Sequence, residues 1–270
     1  MSSSLGQGAP GITRHYFDHN DGQLHYRRCG SVANPPLLLL HQSPSSSAMY
    51  ELLMPLLADR FYIFAPDTPG FGQSDALSEG FSIAGVATLM AEFIGALAAQ
   101  PCFVFGHHTG ATIATQLAAD APDLVSGLAL SGPTLLSPEL QKILPSKAQS
   151  IELQEDGGHL LAMWQRIRAK DDAAPLPLTQ REALLAWQCG DDYAASYRAV
   201  SELDYAALLK RVSCRTLVFA GDQDPLFAGL DETLSYLAKG EKVAGPVTGK
   251  TYACERQVDT VADILSHFFS

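Results

Sequence analysis

Gly106-His107-His108-Thr109-Gly110 closes the apolar run Cys102–Gly106 and opens the stretch Thr109–Ala119. A short, continuously apolar run that ends in turn residues suits a strand buried on both faces, as in a parallel sheet. The stretch after it carries Ile113 and Leu117 among many small residues, the pattern of a helix packed tightly on a sheet. These five residues therefore read as a sharp strand-to-helix turn, with glycines flanking the tightly bent backbone. Its central side chain is His108.

Working outward, the same kind of apolar run recurs at Pro36–His41, Phe61–Pro66, Leu124–Ser131 and Thr216–Gly221. Ile12–His19 and Gln23–Arg28 flank Asn20-Asp21-Gly22, a strong hairpin signal. Helical patterns separate the runs. Ser82 is placed to cap a helix with Ile83, Val86, Met90, Phe93 and Leu97 on one stripe. Leu230, Leu234 and Leu237 mark another helix, which Gly240 is placed to close. Val261, Ile264, Leu265 and Phe268 mark the last. Alternating strands and helices predict an α/β class with a mostly parallel sheet. Residues 135–212 break the alternation and are helix-like, with Leu160, Leu161, Trp164 and Ile167 on one stripe. The expected organisation is a flexible tail over 1–10, a core formed by 11–134 and 213–270, and a helical cap over 135–212.

The 270 residues are 47% hydrophobic and 17% charged, enough apolar mass for a sizeable core. Lys and Arg number 18 against 29 Asp and Glu, a net charge of −11, which disfavours nucleic acid as a partner. Five scattered cysteines, Cys29, Cys102, Cys189, Cys214 and Cys254, form no CxxC pair, so neither a disulfide framework nor a thiolate zinc site is expected. The N-terminal residues lack the basic start and apolar core of a signal peptide. No apolar run approaches the ~18 residues that span a bilayer. A cytoplasmic protein without membrane partners is the expectation, as a monomer or homodimer.

Four segments together resemble the α/β-hydrolase family, nearest its haloalkane dehalogenase and epoxide hydrolase branches. His41-Gln42-Ser43-Pro44 is similar to the family's oxyanion loop after the third strand. Asp67-Thr68-Pro69-Gly70-Phe71-Gly72-Gln73-Ser74 resembles its Asp-x-x-Gly-x-Gly-x-Ser turn. Gly106-His107-His108-Thr109-Gly110 occupies the nucleophile elbow, and Gly221-Asp222-Gln223-Asp224-Pro225 resembles the turn that carries the triad acid. The resemblance runs from about residue 12 to the C-terminus. It implies an α/β-hydrolase fold with the cap inserted between two strands, and it assigns the acid to Asp224 rather than Asp222.

Against that pattern two positions depart. The elbow residue of the family is Ser, Asp or Cys, and here it is His108, which has no hydroxyl, thiol or carboxylate. Acyl-serine and alkyl-aspartate chemistry are thereby excluded at this position. The triad histidine is missing as well. The family pattern puts Gly249-Lys250-Thr251 at its place, so Lys250, or Thr251 with one gap, stands in for it. The economical expectation is that the imidazole has changed places: His108 acts as base or nucleophile, tuned by Asp224 or Lys250. A variant makes Ser43 a nucleophile activated by His108.

By the same resemblance, the N–H groups of Gln42 and Thr109 are the expected oxyanion donors. Gln42 replaces the usual Gly, and its side chain is a candidate to reach a substrate oxygen. Ser43 lies where a halide-binding Asn often stands. His41 and His107 read as structural residues behind the loop and beneath the elbow, and Asp67 as the anchor of its turn. A metal bound by His41, His107 and His108 is disfavoured, because adjacent strand residues point to opposite faces. Among the cap aromatics, Trp164 is the candidate for the pocket wall. No cofactor motif is present: no GxGxxG follows the first strand and there is no P-loop. The expected activity is hydrolysis or cofactor-free C–C or C–X cleavage of a small, fairly apolar carbonyl compound. The alternative is a non-catalytic small-molecule receptor of the same fold.

Overall fold

The computed structural model describes residues 11–98, 101–245 and 247–270. The expected tail over 1–10 lies outside the described residues. Eight strands form one sheet: β1 (Thr13–His19), β2 (Gly22–Cys29), β3 (Pro36–Leu40), β4 (Tyr62–Pro66), β5 (Cys102–His107), β6 (Val125–Ser131), β7 (Thr216–Phe219) and β8 (Gly240–Lys242). Their order is β1-β2-β4-β3-β5-β6-β7-β8. The β1/β2 and β2/β4 pairs are antiparallel, and every pair from β3/β4 to β7/β8 is parallel. The fold is that of an α/β hydrolase, a mostly parallel sheet flanked by helices.

The helices among the described residues are α1 (Leu53–Leu57), α2 (Ile83–Leu97), α3 (Thr109–Asp120), α4 (Pro138–Ile143), α5 (Gly158–Arg168), α6 (Leu176–Gln188), α7 (Asp192–Glu202), α8 (Tyr205–Leu209), α9 (Leu230–Tyr236), α10 (Ala253–Arg256) and α11 (Val258–Phe268). Ser82 caps α2, its hydroxyl accepting from the Gly85 N–H. The regular elements between β6 and β7 are all helical, α4 to α8 with a short 3-10 turn.

The apolar strands divide their side chains between two layers. Leu38 and Leu40 of β3 pack with α2 and α3 residues such as Met90, Phe93 and Ile113. Leu37 and Leu39 face the other way, against Met54, Leu57, Val261 and Leu265 of α1 and α11. Period-two alternation within an all-apolar run is what burial on both faces requires. Truncating one of these fully buried side chains, for example Phe93 to Ala, costs about 3–5 kcal/mol.

Two elements differ from expectation. Gly240 does not close α9; the helix stops at Tyr236 and Gly240 begins β8. β8 itself was not foreseen. Its three residues, Gly-Glu-Lys, are mostly exposed and carry no apolar pattern, so the pairing with β7 supplies what the local sequence lacks.

The chain moves from β3 to β4 on one side of the sheet and then to β5 on the other. The strand order thus reverses at the adjacent carboxyl ends of β3 and β5. Open α/β sheets form their ligand crevices at such a reversal. The loop after β3 carries Gln42 and Ser43, and the turn after β5 carries His108.

Candidate active site

His108 sits at φ 50 and ψ −113, and no other described non-glycine residue has a positive φ. Its N–H is held by the Ser131 carbonyl at 2.9 Å, and its own carbonyl caps α3 by accepting from Ala111 and Thr112. A strained backbone held from both sides fixes where the side chain points. Gly110 permits the close approach that follows. A Cβ there would lie 2.0 Å from the Leu40 carbonyl oxygen and 2.7 Å from that of His41. The first turn of α3 is therefore pressed against the end of β3, which sets Thr109 beside the loop of Gln42.

The imidazole reaches the acid directly. His108 Nε2 lies 2.7 Å from Asp224 Oδ2. Asp224 Oδ1 accepts from the Leu226 N–H at 2.9 Å. Burial pushes this carboxyl up, but the charge and hydrogen bond of His108 and the Leu226 N–H outweigh it and hold Asp224 below the ordinary carboxylate range. The carboxylate can only accept, so Nε2 carries a proton. Nδ1 makes no hydrogen bond among the described residues and is left to the cavity that His108 lines. The neighbouring Asp222 instead accepts from the Gly249 N–H at 2.9 Å.

The cavity has a volume of about 500 Å³, within the ordinary range for small-molecule sites. Gln42, Ser43, Thr109 and Lys250 share its wall with His108. Gln42 Nε2 and Ser43 Oγ are buried and have no hydrogen-bond partner, so Ser43 is not bonded to His108. The N–H groups of Gln42 and Thr109 likewise donate to no protein acceptor among the described residues. Unpaired donors beside an imidazole are what a polar ligand atom would satisfy.

The other histidines are fully committed. His41 Nδ1 donates to the Gln42 carbonyl at 2.7 Å, and Nε2 accepts from the Thr68 N–H at 2.8 Å. That pattern requires the neutral ring, in line with burial lowering its pKa. His107 Nε2 donates to the Thr251 carbonyl at 2.8 Å, and Nδ1 pairs with the Ser131 hydroxyl at 3.0 Å. Burial first, and the His108 charge second, drive His107 down to about 3. The two rings do converge, with centroids 4.2 Å apart, because the positive φ at His108 undoes the strand alternation. Yet both nitrogens of His107 are occupied. Among the described residues no cluster of three or more His, Cys, Asp or Glu is placed to hold a metal ion.

Asp67 organises the loop. Its Oδ1 accepts from the Ser47 N–H at 2.7 Å and the Ser47 hydroxyl at 2.5 Å, and its Oδ2 from the Gln73 N–H and His25 Nδ1, both at 2.9 Å. Burial raises this carboxyl, but the His25 hydrogen bond, the neighbouring imidazoles and the Ser47 donor bring it down to about 2. A second polar cluster ties α6 to α10. Arg181 donates to Glu182 at 2.7 Å and to both oxygens of Glu255 at 2.7 Å. Glu182 also accepts from the Ser45 hydroxyl at 3.2 Å.

Two candidates are not brought into this constellation. Lys250 pairs with Asp172 at 2.7 Å and bonds neither His108 nor Asp224. Trp164 packs in the apolar cluster of Phe71, Met163, Ile167 and Ala186 and does not line the cavity. The cavity is lined instead by Arg166, in the last turn of α5, and by Ala169 and Lys170 just beyond it. The apolar stripe that singled out Trp164 is only partly packed: Ile167 is buried with Met163, while Leu160 and Leu161 are exposed. Arg166 and Lys170 were missed, and their i, i+4 spacing was the available signal.

Comparison with known proteins matches residues 35–195, more than half of the chain, to the family model for the alpha/beta hydrolase fold. The chain is 36% identical over 117 residues to a soluble epoxide hydrolase of a Corynebacterium species and 34% identical over 116 residues to haloalkane dehalogenase 2 of Mycobacterium bovis. Each match takes in 43% of this chain and 40% of the relative, so the chain spans well under half the length of these relatives. The crystal structure of the enol-lactonase from Burkholderia xenovorans superposes with a TM-score of 0.80 at 18% identity, covering 94% of this chain and 99% of that one. With a matching family model, the sheet order and the elbow geometry in agreement, the chain belongs to the α/β-hydrolase family.

Proposed function

We propose that this protein is a hydrolase in which His108, not a serine or aspartate, is the reactive side chain. The observation that carries the reading is the 2.7 Å contact between His108 Nε2 and Asp224 Oδ2, with Nδ1 left without a protein partner. In this reading Nδ1 takes a proton from a water molecule as its oxygen attacks a carbonyl carbon. Asp224 stabilises the imidazolium that forms, as the acid of a triad does. The N–H groups of Gln42 and Thr109 receive the oxyanion. The proton then passes from Nδ1 to the leaving group. The same base would serve proton abstraction from a substrate carbon or hydroxyl, leading to C–C or C–X cleavage. Similarity to proteins named epoxide hydrolase and haloalkane dehalogenase supports the hydrolase class. Asp224 and His108 are the proposed catalytic residues, Gln42, Ser43 and Thr109 the proposed substrate contacts, and residues 135–212 the proposed cap. His41 supports the loop, and Lys250 sits at the cavity rim.

The test is turnover of a panel of small esters, lactones and epoxides by the wild type and by His108→Asn. General-base assistance contributes about 10²–10⁴-fold, so the variant should lose at least that much while keeping its fold. Unchanged turnover in His108→Asn overturns the reading. Covalent labelling of a serine by a phosphonate would replace it with serine chemistry. Ligand-induced stabilisation with no turnover of any class would mark a receptor.

A further inference from the structure

Four cations, Lys147, Arg166, Lys170 and Lys250, line the cavity beside His108, and among the described residues no carboxylate side chain does. In a chain with 18 Lys and Arg against 29 Asp and Glu, a wall of this sign runs against the average. Lys250 is neutralised by Asp172. The other three form no ion pair among the described residues. Arg166 donates to the Gln149 carbonyl at 2.7 Å and Lys170 to the Tyr197 hydroxyl at 3.1 Å, both neutral partners.

Tyr193 links two of these cations. Its ring lies 6.0 Å from the Arg166 guanidinium carbon and 5.8 Å from Lys170 Nζ. The residue is 3% exposed, and its hydroxyl has no hydrogen-bond partner. A buried hydroxyl left unpaired destabilises a protein unless a ligand or water satisfies it. Two uncompensated cations and an orphaned donor on one wall of a largely apolar cavity form a site for an anion.

We propose that the cap side of this cavity is a carboxylate subsite, in which Lys170, Arg166 and the Tyr193 hydroxyl hold an anionic group of the substrate while its reacting end faces His108. The inference rests on the reading of this cavity as the substrate site and adds the substrate class: a small apolar molecule that carries a carboxylate. Two cationic donors and one hydroxyl match the two oxygens of a carboxylate. Both cations are partly exposed, so the attraction is screened by salt.

The experiment compares a series of phenylalkanoates of increasing chain length with their uncharged primary amides. Titration calorimetry is carried out on the full chain and on Lys170→Met and Arg166→Met, which keep most of the aliphatic packing. The best-fitting acid should bind at least about tenfold tighter than its amide. The preference should shrink with added salt and fall towards unity in both variants, while amide affinity stays the same. Equal binding of acid and amide, binding of neither at millimolar concentration, or a preference that survives both substitutions overturns the subsite. His108→Asn keeps the two proposals apart. It should retain the carboxylate preference, so loss of the preference in the lysine and arginine variants speaks to the subsite, and turnover in His108→Asn speaks to the base.

Discussion

His108 Nε2 and Asp224 Oδ2 lie 2.7 Å apart across 116 positions of sequence, joining the turn after β5 to the turn after β7. In the usual triad a third residue, a histidine from a later loop, fills the space between elbow and acid. Here the elbow side chain is the imidazole, and it touches the acid itself. The contact fixes the tautomer as Nε2–H, with the Nδ1 lone pair outward.

The first prediction concerns that tautomer. Ring 15N shifts of the neutral imidazole should report Nε2 of His108 as protonated and Nδ1 as bare. In Asp224→Asn the neutral amide no longer imposes the tautomer or stabilises an imidazolium. Turnover should then fall about 10²-fold or more with little change in fold. A bare Nε2 in the wild type would show that the dyad is wrongly drawn.

Gly132 is fitted to the same ring. A Cβ at this position would lie 2.4 Å from His108 Cδ2 and 2.6 Å from Nε2, and the backbone is at φ +60. Gly132→Ala should therefore cost about 1–2 kcal/mol for the left-handed conformation alone. It should also displace the imidazole from Asp224. The expected result is a lowered Tm and a loss of turnover as deep as that of Asp224→Asn. An alanine variant with wild-type turnover would contradict the fit.

Stability should fall in acid in a defined order. His107 has its pKa lowered from 6.5 to about 3, so between those values the unfolded chain binds the extra proton and stability drops as pH falls. Asp67, lowered from 3.8 to about 2, adds the same sign of loss over that lower window. Glu255 acts oppositely. Burial and the neighbouring Glu182 outweigh Arg181 and raise it from 4.5 to about 7, so its contribution is present at low pH and is lost as pH rises through 7. Each such proton is worth about 1.4 kcal/mol per pH unit. Urea denaturation should show a shallow decline from pH 6.5 and a steeper one below 4.5. Glu255→Gln should steepen the upper part, and an unaltered profile in that variant would refute the opposing role.

The link between α6 and α10 should be asymmetric. Arg181 is the only cation in contact with Glu182 and Glu255 among the described residues, and the two carboxylates are 1% and 8% exposed. Arg181→Met leaves two buried carboxylates unpaired and should cost about 3–5 kcal/mol. Glu255→Gln removes one of two like charges and should cost clearly less at pH 7. Equal losses, read from urea midpoints, would mean the cluster acts as isolated pairs.

Much of this was legible in the chain. The apolar runs located five of the eight strands, because burial on both faces leaves a continuous signal, and the Asn20-Asp21-Gly22 turn located β1 and β2, while β8 has neither signal. The four turn motifs were legible through their resemblance to those of the α/β-hydrolase family. The helical segment 135–212 was read less well. The stripe through Trp164 pointed to the pocket wall, but Trp164 packs against the cluster of Phe71 and Met163, and Arg166 and Lys170 line the cavity. A helix pattern identifies which face is apolar, not which face a cavity will meet. Likewise, the resemblance put Lys250, or Thr251 with one gap, at the place of the missing histidine, and Lys250 pairs with Asp172 rather than with His108 or Asp224.

The stretch 102–119 dictates a strand, a bend and a helix with His108 at the bend, because steric limits on the backbone and the periodicity of burial act between near neighbours. That was enough to exclude serine and aspartate chemistry at the elbow. The pairing of His108 with Asp224, the neutral His107 beneath it and the cations Arg166 and Lys170 at the C-terminal end of α5 over the cavity were decided by tertiary packing. Hydrogen bonds and electrostatic fields between residues more than a hundred positions apart leave no periodic trace in the chain, and they exist only once the sheet brings its carboxyl ends together.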